Sequence, residues 1–349
     1  MTLFDQVIGQ EAVRRRLLDD LRMGRVAHAL MFTGPEGSGK LALALAFAQA
    51  LLCEHTTAEG QPCGECASCK MSSKLEHPDL HFTFPIVKGT KIKDAKDALS
   101  DFYIKVWRAR LCASPYFDIN DWLADIGAEN QQATYYVAEA DSIQRKLALK
   151  ASQGGRKVMV VWLPEKMNQE TANKLLKLFE EPPAGTHFLM VSEAPDLVLG
   201  TILSRTQRIL VPPLTREEYD RAHPPKDERQ QLDLFIMFMR LAYQRKVKDL
   251  REWADHVATM GREAQKSFLQ FCQRQVRENF VFNFRLPELN DQRADEADFS
   301  RNFARFINER NVIPITEELA KAETDIAQNV NARMVFFDLA LKMIVLVRQ

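Results

Sequence analysis

The sequence predicts a parallel α/β domain built on a phosphate-binding loop, carrying a metal module and followed by an all-α domain. Three observations predict this. A glycine-rich loop stands between a short apolar strand and an apolar helix. Four cysteines crowd into residues 53–69. Strand-like runs stop near residue 212, and only helical periodicity continues beyond it. At 349 residues the chain exceeds one ordinary core, so two or three domains are expected.

Composition narrows the function. Hydrophobic residues make up 46% and charged residues 27%, enough apolar content for a core in each domain. Forty-seven basic residues balance 47 acidic ones. A chain that grips nucleic acid alone through a broad basic face carries an excess of positive charge, so any DNA contact here is local or shared with partner chains. No run approaches the roughly 18–20 apolar residues of a membrane span, so no membrane is expected. The first residues lack a basic segment followed by an apolar one, and the cytoplasm is the expected compartment.

Taken in order, residues 11–23 form a helix with Val13, Leu17, Leu18 and Leu21 on one side. Residues 28–33 are a short apolar strand. Residues 41–52 are apolar all round apart from Gln49, which suits a helix buried behind a sheet. Between 84 and 130 the pattern loosens around two amphipathic pieces, 94–110 and 120–126, punctuated by Pro85, Gly89, Pro115 and Gly127. Strands are predicted at 135–137, 157–162, 187–192 and 207–211, the last an edge strand stopped by Pro212 and Pro213. Helices are predicted at 142–150 and 168–180, with a turn and a short helix over 196–205. This alternation implies a parallel sheet covered on both faces. From Gln230 onward Leu232, Phe235, Ile236, Met239, Ala242 and Tyr243 fall at helical spacing. Later helices are predicted at 261–279, 316–328 and 332–347, with a charged turn over 287–298. The polar stretch 213–230, with four prolines counting the adjoining Pro212, reads as a linker.

Gly34, Gly37, Gly39 and Lys40 lie in a Gly-x-x-x-x-Gly-Lys loop that follows a strand and opens a helix. Backbone N–H groups of such a loop converge on phosphate, and the helix N-terminus adds partial positive charge. Leu41 stands where Ser or Thr would hold magnesium. The apolar strand expected to end in metal-binding and water-orienting acids instead runs Val160, Val161, Trp162, Leu163. Glu165 is the one nearby acid, separated from the strand by Pro164. With both magnesium supports absent, intrinsic hydrolysis should be negligible and ATP with Mg²⁺ is a doubtful cofactor. The sequence leaves two uses of the loop open: weak nucleotide binding, or structure alone.

Cys53, Cys63, Cys66 and Cys69 bring four thiolates together, and two-residue spacings let consecutive thiolates chelate one ion from tight turns. A closed Cys₄ shell leaves no position for water, so structural Zn²⁺ is expected. Free buried thiols and an iron–sulfur cluster are the rival readings. Cys112 and Cys272 stand apart and are expected to pack in cores, as are the lone His28 and His77. Trp107 and Trp122 could pack locally or meet a partner. Phe280, Phe282, Phe284, Phe336 and Phe337 are expected in the core of the helical domain.

The segments Phe4–Gln10 in sequence (Phe-x-x-Val-Ile-Gly-Gln), Arg25 to Phe32, the phosphate loop and Met167 to Pro183 together resemble the gamma/delta-prime AAA+ family of bacterial DNA polymerase III clamp loaders. Leu203, Ser204, Arg205 and Thr206 resemble that family's Ser-Arg-Cys motif, with Thr206 replacing Cys. The matches cover about 4–80 and 135–212, and 84–130 looks like an insertion. The resemblance implies an AAA+ domain over 1–212 with a zinc module at 53–69. It further implies a linker or shortened lid at 213–230 and an α-helical collar for oligomerisation at 231–349. It implies gamma/tau and delta subunits as partners, with the sliding clamp and primed DNA reached through the complex. It makes Arg205 an arginine finger acting in trans on a neighbouring ATPase, and Ser192 a degenerate γ-phosphate sensor. The losses at Leu41, Trp162 and Leu163 favour a non-catalytic delta-prime-like subunit of the polymerase complex. An ATP-hydrolysing gamma-type subunit and an adaptor on a dead AAA+ scaffold are the alternatives.

Overall fold

In the computed structural model, residues 3–349 are described apart from 89–91, 93, 95–96, 130, 153–154, 224–228, 285–291 and 293. The chain divides into two units, 1–128 with 132–224, and 129–131 with 225–349. Among the described residues no helix is long and apolar enough to cross a membrane.

The first unit is organised by five strands: β1 (Ala29–Thr33), β2 (Leu80–Thr83), β3 (Lys157–Trp162), β4 (Thr186–Ser192) and β5 (Gln207–Leu210). They form one sheet in the order β2-β3-β4-β1-β5, every pair parallel. Strand residues alternate between its two faces. Val158, Val160, Trp162, Leu30, Phe32 and Ile209 enter one buried cluster, while Met159, Val161, Met31, Phe188 and Met190 enter the other. Both faces are covered, as a parallel sheet requires.

On the first face lie α1 (Glu11–Arg22), α2 (Lys40–Leu52) and α3 (Ala67–Ser73), with α4 (Ile104–Ala113) and α5 (Ile119–Asp125) after β2. On the second lie α6 (Val137–Ala148), α7 (Gln169–Glu180) and α8 (Gly200–Leu203). All thirteen residues of α2 are buried. The polar residue beyond its first turn is used: Gln49 Nε2 donates to Cys69 O at 3.1 Å, and Leu3 N–H donates to Gln49 Oε1 at 2.7 Å.

Described residues of 84–130, the stretch expected as an insertion relative to the family, contribute to the core on this face. Trp107 and Trp122 are fully buried and pack locally, with ring centroids 5.1 Å apart. Trp107 also meets Trp162 at 5.1 Å, and Trp122 Nε1 donates to Pro85 O at 2.9 Å. Buried Glu139 on α6 ties the segment down, accepting from Ser100 N–H, Ser100 Oγ and Thr83 Oγ1 at 2.7, 2.5 and 2.8 Å.

Several elements differ from expectation. Instead of a strand at 135–137, Tyr135 makes a single bridge to Met167 and α6 begins at Val137. Buried Ala140, Ile143 and Leu147 are spaced for a helix that takes in Val137, while Tyr135 and Tyr136 stay outside it. The four-residue strand β2 was not expected between Pro78 and Pro85. The stretch 213–230, expected as a linker or shortened lid, contains α9 (Arg216–Ala222), opened by a reciprocal cap between Thr215 and Glu218.

The second unit is helical: α10 (Arg229–Gln244), α11 (Val247–Ala258), α12 (Arg262–Phe282), α13 (Ala294–Phe303), α14 (Val312–Ala327) and α15 (Ala332–Leu346). The described end of the expected charged turn at 287–298 belongs to α13; the rest lies outside the described residues. Phe238 stacks on Trp253 at 4.2 Å, and Phe268, Leu319, Phe336 and Met343 complete the core. Phe280 and Phe337 pack at its margin, whereas Phe284 is 51% exposed and is not core.

Candidate functional site

The phosphate loop hangs between β1 and α2, and its glycines are demanded by close approaches. A Cβ on Gly34 would lie 2.1 Å from Val211 O. Gly39 caps α2 with φ 83, a left-handed conformation that glycine adopts without penalty. The sequence places Gly34, Gly37, Gly39 and Lys40 in one loop, and the structure keeps them so.

The loop is occupied by the protein's own groups. Buried Lys40 turns its ammonium back on the loop, donating to Pro35 O and, at 3.3 Å, to Ser38 Oγ. Burial lowers its pKa, with Glu193, Glu36 and Glu165 opposing that shift. Tyr116 packs over Gly39, its ring 3.1 Å from where a Cβ would stand, and its hydroxyl accepts from Ile8 N–H at 2.7 Å. Tyr219 of α9 covers Gly37 in the same way, at 2.6 Å. His223 stacks on Tyr219 with centroids 4.5 Å apart, and its Nε2 donates to Gly37 O at 3.1 Å. The cavity left beside Lys40, lined also by Tyr116, Phe117, Trp162, Glu193 and His223, measures about 20 Å³. That is room for about one water.

The positions singled out for magnesium carry apolar side chains packed in the core. Leu41 is buried in the core, and the Trp162 indole packs against Trp107 and, at 5.3 Å, Phe117. Glu165 Oε1 accepts from the backbone N–H groups of Glu193 and Ala194 at 2.9 and 3.2 Å, while its Oε2 is buried without a hydrogen-bond partner. Ser192 Oγ is buried without a hydrogen-bond partner. Burial, then the neighbouring carboxylate of Glu36, pushes Glu193 up to about 7.

Sequence reasoning missed Tyr116, Tyr219, His223 and Glu193. None sits in a motif, and two reach the loop only because α9 folds back onto it. The proline-flanked Tyr116 carried no periodic signal at all.

The cysteine cluster is built as predicted. Cys53 follows α2, Cys66 caps α3, and Cys69 lies in its first turn. The four Sγ atoms lie within 4.8 Å of one another, with Cys53 to Cys63 at 3.7 Å, Cys63 to Cys69 at 3.9 Å and Cys53 to Cys66 at 4.0 Å. Tetrahedral zinc with Zn–S near 2.3 Å sets sulfurs about 3.8 Å apart, so the donor set fits a structural zinc site. Cys63, Cys66 and Cys69 N–H each donate to a cluster sulfur at 3.3 Å, which stabilises thiolate charge. The Cys66 N–H leads in lowering Cys63 to about 6. Behind the cluster, His77 is buried, within 3.2 Å of Ser68 Oγ, and Ser68 Oγ donates to Glu54 at 2.8 Å. His77 is thus structural, as is His28, whose Nε2 bonds Phe179 O at 3.1 Å. Cys272 is buried, but Cys112 is exposed on α4, contrary to the expected packing role.

Arg205 follows α8 with its side chain 35% exposed. Its guanidinium pairs with Glu180 at 2.5 Å and donates to Thr201 O at 2.8 Å and Ser204 Oγ at 3.2 Å. It is well removed in sequence and element from the chain's own phosphate loop.

A family model described as DNA polymerase III, delta subunit, matches residues 9–215. DNA polymerase III subunit delta' of Bacillus subtilis (strain 168) is 30% identical over 206 residues, covering 59% of this chain and 48% of the relative. Subunit delta' of Pseudomonas aeruginosa is 31% identical over 181 residues, 51% of this chain and 41% of the relative. Subunit tau/gamma of Haemophilus influenzae is 26% identical over 283 residues, 80% of this chain and 33% of the relative. The chain spans about half the length, or less, of the curated relatives it matches. The family model covers the sheet, the filled phosphate loop, the cysteine cluster and Arg205 together, and the chain belongs to the DNA polymerase III clamp-loader family of delta-prime and gamma/tau subunits, as a delta-prime-like member.

Proposed function

We propose that the chain is a non-catalytic subunit of a sliding-clamp loader, contributing to its assembly and supplying Arg205 to a neighbouring ATPase subunit. The observation that carries the reading is the filled phosphate cradle. Lys40 is spent on the loop's own oxygens, Tyr116 and Tyr219 cover Gly39 and Gly37, and no oxygen ligand stands at Leu41 or Trp162. Phosphoryl transfer depends on a metal and a cation arranged on the phosphates, and neither arrangement has room here. Gly34, Gly37, Gly39 and Lys40 then act as a structural loop.

Arg205 suits action in trans because it sits at the surface. Its planar guanidinium can donate two parallel hydrogen bonds to a phosphate. The ion pair with Glu180 is exposed on both sides, so releasing it costs only about 0–1 kcal/mol. Partners in this reading are gamma/tau and delta subunits, with the clamp and primed DNA engaged through the complex in the cytoplasm.

The test is reconstitution. The purified chain should co-assemble with gamma and delta subunits and raise their clamp-loading rate on primed DNA. A chain that stays apart from them, or assembles with no effect on loading, removes the proposal.

A further inference from the structure

The sheet ends on β5, and among the described residues no strand pairs with its outer side. Val211 N–H donates to Thr33 O at 2.8 Å. Alternation then turns the backbone groups of Ile209 and Val211 toward β1, and those of Arg208 and Leu210 outward. Leu210 is 72% exposed, and Gln207 and Arg208 are exposed too. Proteins blunt such edges with proline, lysine, a bulge or a covering segment. Within β5 there is no proline, and it carries an arginine and an exposed leucine.

A groove of about 580 Å³ runs beside this edge, between Gln207 and the Arg15, Arg16, Met23 and Arg25 side of α1. The acids that share the groove are matched: Asp19 pairs with Arg22 at 3.2 Å, and Asp20 with Arg16 at 4.0 Å. Arg15 and Arg25 have no carboxylate partner among the described residues. Neither does Arg208, which alternation places with Leu210 on the opposite face from buried Ile209.

We propose that this edge accepts an extended acidic segment of a partner protein as an added strand. The outward backbone offers donors and acceptors in alternation, which a peptide main chain matches and a row of phosphates does not. One row of the segment's side chains would meet Arg15 and Arg25 over the groove. The other would meet Arg208 and lie against Leu210. A second copy of β5 is the wrong occupant, because antiparallel pairing would bring arginine side chains together.

The probe is a capped, fluorescein-labelled peptide of alternating Glu and Val, titrated against the full chain by anisotropy. Saturable binding is expected, with slower amide exchange at Arg208 and Leu210 by about tenfold or more. The doubly substituted Arg15→Glu, Arg25→Glu surface variant should bind at least about tenfold more weakly. Leu210→Pro, which removes an outward N–H, should abolish binding while the arginines stay. Equal binding of an alternating Lys and Val peptide would overturn the proposal. So would full affinity in the Arg15→Glu, Arg25→Glu variant, exchange protection confined to another strand, or displacement of the peptide by oligothymidylate. Because the assay uses the lone chain, its result is independent of whether the chain serves a clamp loader.

Discussion

Replacing Arg205 separates a surface ion pair from a residue that acts on a neighbour's nucleotide. In the chain alone, Arg205→Ala removes the contact to Glu180 and the bonds to Thr201 O and Ser204 Oγ. Both partners of the ion pair are more than a third exposed, so the loss of stability should stay within about 1 kcal/mol. That is a melting shift of roughly 2–4 °C at most for a domain of this size. In the assembled loader the same change should act on rate. An arginine offered in trans to a transferring phosphoryl is worth about 10³–10⁵-fold, or about 4–7 kcal/mol of barrier. The assay is clamp-stimulated ATP turnover in a reconstituted loader whose other ATPase subunits carry substituted phosphate-loop lysines, so that the site facing Arg205 is read alone. Turnover there should fall about 10³-fold or more with Arg205→Ala, and stay within about twofold with Glu180→Ala. Unchanged turnover in an intact Arg205→Ala assembly would refute the reasoning and leave Arg205 a surface ion pair.

Other outcomes follow from the same geometry. Elemental analysis should find about one zinc per chain, held by Cys53, Cys63, Cys66 and Cys69; Cys66→Ser or a strong chelator should remove it and expose 53–69 to proteolysis, and less than roughly half an equivalent in fresh protein would contradict the site. Glu139→Ala strands Ser100 N–H, Ser100 Oγ and Thr83 Oγ1 in a buried place. It should cost about 3 kcal/mol or more in urea unfolding followed by tryptophan emission, and a loss under about 1 kcal/mol would contradict the account. Glu193, held near 7 in the folded chain against an ordinary 4.5, binds its proton more tightly folded than unfolded. Its contribution to stability is therefore complete below the ordinary value and lost as pH rises through about 7. Glu193→Gln should accordingly gain stability relative to the parent between about pH 5 and about pH 8, and parallel pH profiles would count against it.

The parts of this fold that were legible in the sequence are those where the chain repeats a strict local rule. The phosphate loop shows itself because only glycine tolerates the approach of Val211 O to Gly34 and the left-handed cap at Gly39. The cysteine spacing shows itself because two-residue gaps are what tight chelating turns require. What the sequence hid is assembled from distant pieces. Tyr116, Tyr219 and His223 meet at the loop from positions about a hundred residues apart, and no periodicity announces such a meeting. β2 is too short to alternate, and the Tyr135–Val137 run is cut to a single bridge residue because α6 already starts at Val137. Residues 84–130 read as an insertion because the family-like segments break off near 80 and resume near 135, yet Trp107 and Trp122 are buried in the core beside Trp162.

The central proposal is that this phosphate loop does not hydrolyse nucleotide by itself. The direct measurement is ATP turnover by the lone purified chain with and without magnesium, alongside Lys40→Ala. The account predicts no turnover above background in any of the four reactions. Brisk, magnesium-dependent turnover that disappears in Lys40→Ala would contradict it.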